Sequence, residues 1–400
     1  MPAHIAKYIS FISMIMLLQN TLSGNVALNW TACPPLPPAK GMAKQPGLSG
    51  AYAGISNGVL LVAGGSNFSV KPLAEGGEKQ YHNHIYVLHN YSQPDAYWET
   101  LDVLFPRKAA HGVSITTPDG IVCIGGKDNH NHFPNVVLMK WNTTLKTVVF
   151  EDLPSMPYTN ADMAGALIGS RIYVTGGYIN GLPGAKGIFL DLSEKKEWKE
   201  ISEFPENPRL QPVAAAQNTK VGTCLFLFGG FYFDPDKNAE PQIMTDAYKY
   251  IPSQNVWIKL SEIVIEGKSM AMVGTSAVSV GDEYILFAGG VDKDIFFYDQ
   301  DIVRQINQAK ISQNNLLLQQ LTSQRIEYWT QPPTYFKFNK DVITYHTITN
   351  SWSKVSELPK QGVVGASVVK TDDGFILING EIKPGVRVNE VFKANITNVL

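Results

Sequence analysis

Six times along the chain a short apolar run stops at a glycine pair or its near-match: LLVAGG ending at Gly65, VCIGG at Gly126, YVTGG at Gly177, FLFGG at Gly230, ILFAGG at Gly290 and FILING at Gly380. A run of this length bounded by Gly-Gly predicts a buried strand that meets a sharp turn. Intervals of 61, 51, 53, 60 and 90 residues separate the endpoints. Downstream of most pairs comes a second apolar strand, then tryptophan, then a Leu/Phe-Pro turn, as in IYVL…Trp98…FPR, IFL…Trp198…EFP, AYKY…Trp257 and VITY…Trp352…ELP. The second repeat is looser, with Trp141 lying early. Each unit thus holds about four short strands, enough for one twisted sheet. Periods near 50 residues point to a propeller array of the Kelch type.

The two ends of the chain complete the count. After Gly380 only NEVFKANI remains, a strand lacking its tryptophan partner, whereas LNW at Trp30 is a tryptophan strand with no glycine-pair strand before it. Joined, they make a sixth unit of ordinary length. The expectation is an all-β, six-bladed Kelch-type propeller over residues 27–400, closed by pairing the N- and C-terminal strands. Closure of this kind protects edges that an open row of sheets would leave unpaired. In the long fifth interval, residues 299–329 lack strand alternation and carry good helix formers, which predicts a helical insertion with Leu316, Leu317, Leu318 and Leu321 along one side. It is either a decorative hairpin or a lid over the face where the glycine-pair loops emerge.

The first residues have a different character. His4 and Lys7 precede an apolar run from Ile9 to Leu18, followed by a small and polar stretch. The run is too short for an ordinary membrane span and fits a cleavable export signal over residues 1–26. The expected location is exported, periplasmic or secreted, with no membrane association after cleavage. Charge is nearly balanced, with 33 basic and 35 acidic residues, so nothing points to nucleic acid as a partner. Cys33, Cys123 and Cys224 form no CxxC pair, and the last two sit in apolar runs where a thiol behaves as a small buried hydrophobe.

Chemistry in such a scaffold belongs to the loops after the glycine pairs, which converge on one face. The last of them, GEIKPGVR, places Glu381 directly after its strand, then a Pro-Gly turn, then Arg387. Near the channel this pair supplies a proton acceptor or donor beside a planar cation suited to an anionic group; out on the surface it is an ordinary ion pair. His82 with His84, and His130 with His132, have spacing for a metal but no clear third and fourth ligand, so no metal and no cofactor are expected. There is no P-loop, dinucleotide fingerprint or GxSxG elbow.

Taken together, GEIKPGVR with the following NEVF, AGISNGVLLVAGGSNF, EGGEKQYHNHIYVL, AGGVDKDIF and YFKFNKDVITYHTITNSWSKV resemble the N-acetylneuraminate epimerases, or sialic acid mutarotases, and in particular their cyclically permuted branch. The resemblance covers nearly all of the chain beyond the leader. It implies interconversion of the α and β anomers of N-acetylneuraminate, with Glu381 and Arg387 as the functional pair. Glu381 is then the general base, and Arg387 holds the C1 carboxylate or stabilises developing charge. It further suggests Arg107, Asn67 and Glu75 as substrate contacts. The insertion departs from the family pattern at LLLQQ and EYW. The rival readings are a non-catalytic Kelch binding module, a mutarotase for another sugar acid, and a copper radical oxidase, which lacks an accessible Cys–Tyr–His set.

Overall fold

The computed structural model describes residues 26–234 and 238–397, so the expected export signal lies outside the described residues apart from its last position. Six four-stranded antiparallel sheets stand around a central axis. The first blade is built from Tyr52–Ser56, Val59–Ala63, Ile85–His89 and Tyr97–Thr100, running from the axis outward. Four more follow with the same order. The sixth takes its three inner strands, Ser367–Thr371, Gly374–Ile378 and Val391–Thr397, from the C-terminal end and its outer strand, Ala27–Cys33, from the N-terminal end. These two end segments pair antiparallel over their whole length, from Ala27 opposite Thr397 to Cys33 opposite Val391. The expected closure is present.

The second strand of each blade has both faces covered by neighbouring blades, which is why it reads as an unbroken apolar run rather than an alternation. Val59–Ala63, Gly120–Ile124, Tyr284–Ala288 and Gly374–Ile378 are buried at every residue. The core is therefore divided into radial layers between blades. Between the sixth and first, for example, Leu60, Val62 and Tyr86 meet Ile376, Ile378 and Val391. Burying side chains of this size contributes about 1.5–3 kcal/mol each relative to exposure.

The glycine pairs stitch one blade to the next. The second glycine donates its amide to a carbonyl on the following blade's lead-in segment: Gly65 to Ala109, Gly126 to Asn160, Gly177 to Arg209, Gly230 to Met272 and Gly290 to Val363. Gly380 closes the circle by donating to Leu48 at 3.1 Å. Both positions of each pair have positive φ, and in the sixth blade Asn379 (φ 59°) replaces the first glycine, as asparagine tolerates that region. The outer-strand tryptophans add a second set of stitches. The Nε1 atoms of Trp98 and Trp198 donate at 2.8 Å to the carbonyls of Pro34 and Pro154, and that of Trp257 donates to Ser202 at 2.9 Å. Trp141 departs from this pattern because it sits near the end of a third strand, Val136–Asn142, and is buried there.

The fifth blade carries the insertion as three helices: α1 (Lys293–Ile311), α2 (Asn315–Thr330) and the short α3 (Pro333–Phe336). α1 begins six residues before the expected start because Asp292 caps it, accepting from the amides of Asp294 and Ile295. The leucine stripe is only partly apolar in environment. Leu321 is buried, Leu318 is half-buried, and Leu316 and Leu317 face solvent next to the interhelical turn. Buried Ile302, Ala309, Leu321 and Tyr328 hold the helices, and Phe336 is fully buried beneath them. Among the described residues no helix is long and apolar enough to cross a membrane. Cys123 and Cys224 are buried thiols, as their apolar runs predict.

Candidate active site

One residue from each blade's lead-in forms a ring around the axis: Gly50, His111, Asp162, Gln211, Gly274 and Gly365, all with positive φ. Their backbones bond in series, His111 N to Gly50 O, Asp162 N to His111 O, Gln211 N to Asp162 O, Gly365 N to Gly274 O and Gly50 N to Gly365 O, at 2.7–2.9 Å. The ring narrows the channel and makes the floor of a cavity of about 440 Å³ on the glycine-pair face. That volume is in the range of small-molecule sites.

The walls and roof come from three adjacent blades. The first supplies Phe68 and Lys79, the sixth supplies Glu381 and Arg387, and the fifth supplies the helices, with Asp299, Arg325, Tyr328 and Trp329 facing inward. Among the described residues, the glycine-pair loops of the second, third and fourth blades add nothing to this lining. The insertion thus covers the cavity rather than decorating the rim. One contact braces its helices against each other and another ties it to the sixth blade. Arg325 bonds Asp299 across the two helices at 2.9 Å and stacks on Trp329, and Lys383 Nζ donates to the carbonyl of Gln331 at 2.6 Å.

Glu381 and Arg387 sit on a two-stranded hairpin, Glu381–Lys383 with Val386–Arg387, and are directly opposite each other in its register. Arg387 Nη2 contacts Glu381 Oε2 at 2.5 Å, and the guanidinium lies over the Phe68 ring at 4.9 Å. Arg387 is 7% exposed. Its Nε and Nη1 atoms are closed off from solvent and have no hydrogen-bond partner among the described residues. Glu381 keeps more access, and its other oxygen, Oε1, receives only a long bond of 3.3 Å from the Gly385 amide. The pair therefore presents a carboxylate to the cavity, backed by a covered cation.

Beneath it is a second charged group. Lys127 contacts Asp162 Oδ2, and His111 Nδ1 lies 3.8 Å from Asp162 Oδ1. Burial alone would raise Asp162, but Lys127 and then His111 outweigh it and hold the carboxyl at about 2. Burial, with Lys79 second, pushes His111 down to about 3, so this imidazole is neutral at ordinary pH. Lys79 reaches the same cavity, and burial followed by the charges of Arg387 and Lys127 lowers its ammonium to about 8.

Three other residues singled out in the sequence stand apart from the cavity. Asn67 is fully buried, its amide donating to Gly47 O at 3.0 Å and its Oδ1 bonded to His82 Nε2 at 2.9 Å. Glu75 is exposed at the end of a single turn, Leu73–Glu75, whose Leu73 rather than Glu75 reaches the cavity. Arg107 lies over the Phe133 ring at 5.4 Å. None of the three lines the cavity. In their place the structure brings in Lys79, His111 and Gln211. His111 and Gln211 belong to a ring position that recurs at a near-constant offset before the glycine pairs, a signal present in the sequence. Among the described residues no group of three or more His, Cys, Asp or Glu side chains has the arrangement of a metal site.

Fold and site together define a Kelch-type propeller with a roofed, charged cavity at one mouth of its channel. The family model for N-acetylneuraminate epimerase matches residues 16–148 and 153–399, and the chain belongs to that family. Two similar curated proteins are N-acetylneuraminate epimerases. The one from Haemophilus influenzae (strain PittEE) is 35% identical over 248 residues, covering 61% of this chain and 59% of the relative. The one from Pasteurella multocida (strain Pm70) is 36% identical over 234 residues, covering 58% and 56%. The chain thus spans less than two thirds of the length of the curated relatives it matches. Among solved structures, one titled "Structure of YjhT" aligns with a TM-score of 0.50 and 27% identity, covering 61% of this chain and 67% of that one.

Proposed function

We propose that the protein is a sialic acid mutarotase, interconverting the α and β anomers of N-acetylneuraminate by opening and reclosing the ring at C2. The observation that carries this reading is the Glu381 carboxylate in the wall of the roofed cavity, braced by Arg387 at 2.5 Å. Opening a cyclic hemiketal requires loss of the anomeric hydroxyl proton and gain of a proton at the ring oxygen as the C2–O bond breaks. Glu381 takes the first proton and, as the acid it has become, gives it to the ring oxygen, with both transfers reversed on reclosure, an effect worth about 10²–10⁴-fold. The open-chain ketone then turns and recloses on its other face, so the net reaction moves no electrons and keeps every atom. Arg387, shut off from solvent, acts by fixing and electrostatically supporting the carboxylate. The helical roof limits water around the reacting carbon.

Freshly released α-N-acetylneuraminate, followed by NMR, tests the proposal: anomer equilibration should be faster with the protein than in buffer. Equilibration at the buffer rate would favour a binding module. Export belongs to the same reading, supported by the basic start and apolar run before residue 26. Mass measurement of the mature chain from the producing cell should show loss of that segment; an intact start would remove the export claim.

A further inference from the structure

Charge pairing in and just beneath the cavity is incomplete at one group. Arg387 has Glu381, Lys127 has Asp162 and Arg325 has Asp299. Lys79 lines the same cavity and, among the described residues, has no carboxylate within ion-pair distance. Its backbone is held firmly. Gln80–Tyr81 pairs with Ser66–Asn67, and Asn129 Nδ2 donates to the Lys79 carbonyl at 3.0 Å. The preceding turn is closed by Gly77 N to Pro72 O at 2.9 Å, and a Cβ on Gly77 would lie 1.9 Å from the Lys71 carbonyl oxygen. A half-buried cation in the cavity wall, with no acceptor for it among the described residues, lacks a partner that a ligand can provide.

Arg387 is less available to an anion. One of its terminal nitrogens is committed to Glu381, and its two other donor nitrogens are closed off. We infer that Lys79, rather than Arg387, is the residue that binds the carboxylate of the sugar acid. This inference rests on the proposed reading that the substrate is an anionic sugar. It divides the labour in the cavity: Lys79 anchors the anion, and the Glu381–Arg387 pair is left to handle protons.

The pH behaviour follows from the groups around Lys79. From the sixth blade it faces Arg387 and Glu381, and from the second Lys127 and neutral His111; Asp162 lies below and Tyr81 is its near neighbour in sequence. From the roof come Asp292, Asp299 and Arg325. With the free ammonium lowered to about 8, anion binding is complete below that pH and weakens above it, and a bound carboxylate raises the ammonium again, drawing in a proton.

The experiment is calorimetric titration of the full chain with the 2-O-methyl α-glycoside of N-acetylneuraminate, which keeps the carboxylate but cannot mutarotate, and with its neutral methyl ester. Lys79→Met should weaken binding of the anion about tenfold or more, with little change for the ester, and Lys79→Arg should recover most of the loss. Affinity of the wild type should fall from pH 7 to 9, and that of Lys79→Met should stay flat. In anomer exchange, Lys79→Met should raise KM and leave kcat within a few-fold. Unchanged anion affinity in a folded Lys79→Met protein, or loss of kcat at unchanged affinity, overturns the inference while the mutarotase reading stands. If the wild type neither binds the glycoside nor speeds exchange, the sugar acid reading itself fails, and the inference with it.

Discussion

Glu381 and Val364 exchange both backbone hydrogen bonds, Glu381 N to Val364 O at 2.8 Å and Val364 N to Glu381 O at 2.9 Å. Val364 precedes Gly365 of the channel ring, so the candidate base is fastened to the narrowest part of the scaffold. The neighbouring Gly380 donates its amide to Leu48 O at 3.1 Å, so the position of the base also depends on the closure between the sixth and first blades. A catalytic carboxylate held on regular backbone keeps its geometry better than one on a free loop. That junction brings residues from opposite ends of the chain, Lys79 and the Glu381–Arg387 pair, to one cavity.

Closure should therefore be required for a stable ring. Removing Ala27–Cys33 strips the outer strand from the sixth blade and exposes Val391–Thr397 as an unpaired edge. We expect a clear fall in thermal midpoint and a tendency to associate, read by calorimetry and size-exclusion chromatography. A truncated protein with the midpoint of the full chain would show that the end pairing is ornamental.

Gly126 tests the stitching between blades. Its φ is +95°, and a Cβ there would lie 2.2 Å from the Tyr52 hydroxyl, which donates to Gly125 O at 2.6 Å. Gly126→Ala should cost about 2 kcal/mol or more in denaturant unfolding. Gly169→Ala is the control, because φ is +60° but nothing lies within 4 Å of the added carbon. It should cost only about 1 kcal/mol.

Much of this scaffold is readable from the residues. An apolar run buried on both faces has no alternation to mislead, and Gly-Gly can be distinguished from an ordinary turn by its recurrence. The free tryptophan strand at Trp30 and the orphan strand near Val391 announce their own pairing. The site was less open to reading. Glu381 and Arg387 stand out by their place after the last glycine pair, whereas Lys79 looks like any solvated lysine in EGGEKQ until the fold sets it in the cavity wall. His111 and Asp162 hold left-handed backbone positions that glycine fills in other blades, and composition gives no hint of that. Asn67, a polar residue after a glycine pair, spends its amide on Gly47 and His82, which its sequence context does not signal.

Acid should destabilise the fold through the channel ring. His111, lowered from 6.5 to about 3, stays neutral when folded but binds a proton when unfolded, so stability is full above 6.5 and is lost as pH falls toward 3. Asp162, lowered from 3.8 to about 2, acts in the same sense over the window from about 4 down to 2. His111→Gln should flatten the fall of thermal midpoint between pH 6.5 and 4. An equally steep fall in that variant would place the acid sensitivity elsewhere.

The most direct measurement is anomer exchange of N-acetylneuraminate by Glu381→Gln, read by NMR beside the wild type and with thermal midpoints for both. The amide oxygen of the substituted side chain can still accept from Arg387, so the fold should hold while the rate enhancement drops about 10²–10⁴-fold. Wild-type exchange in the folded variant would contradict the assignment of proton transfer to this carboxylate.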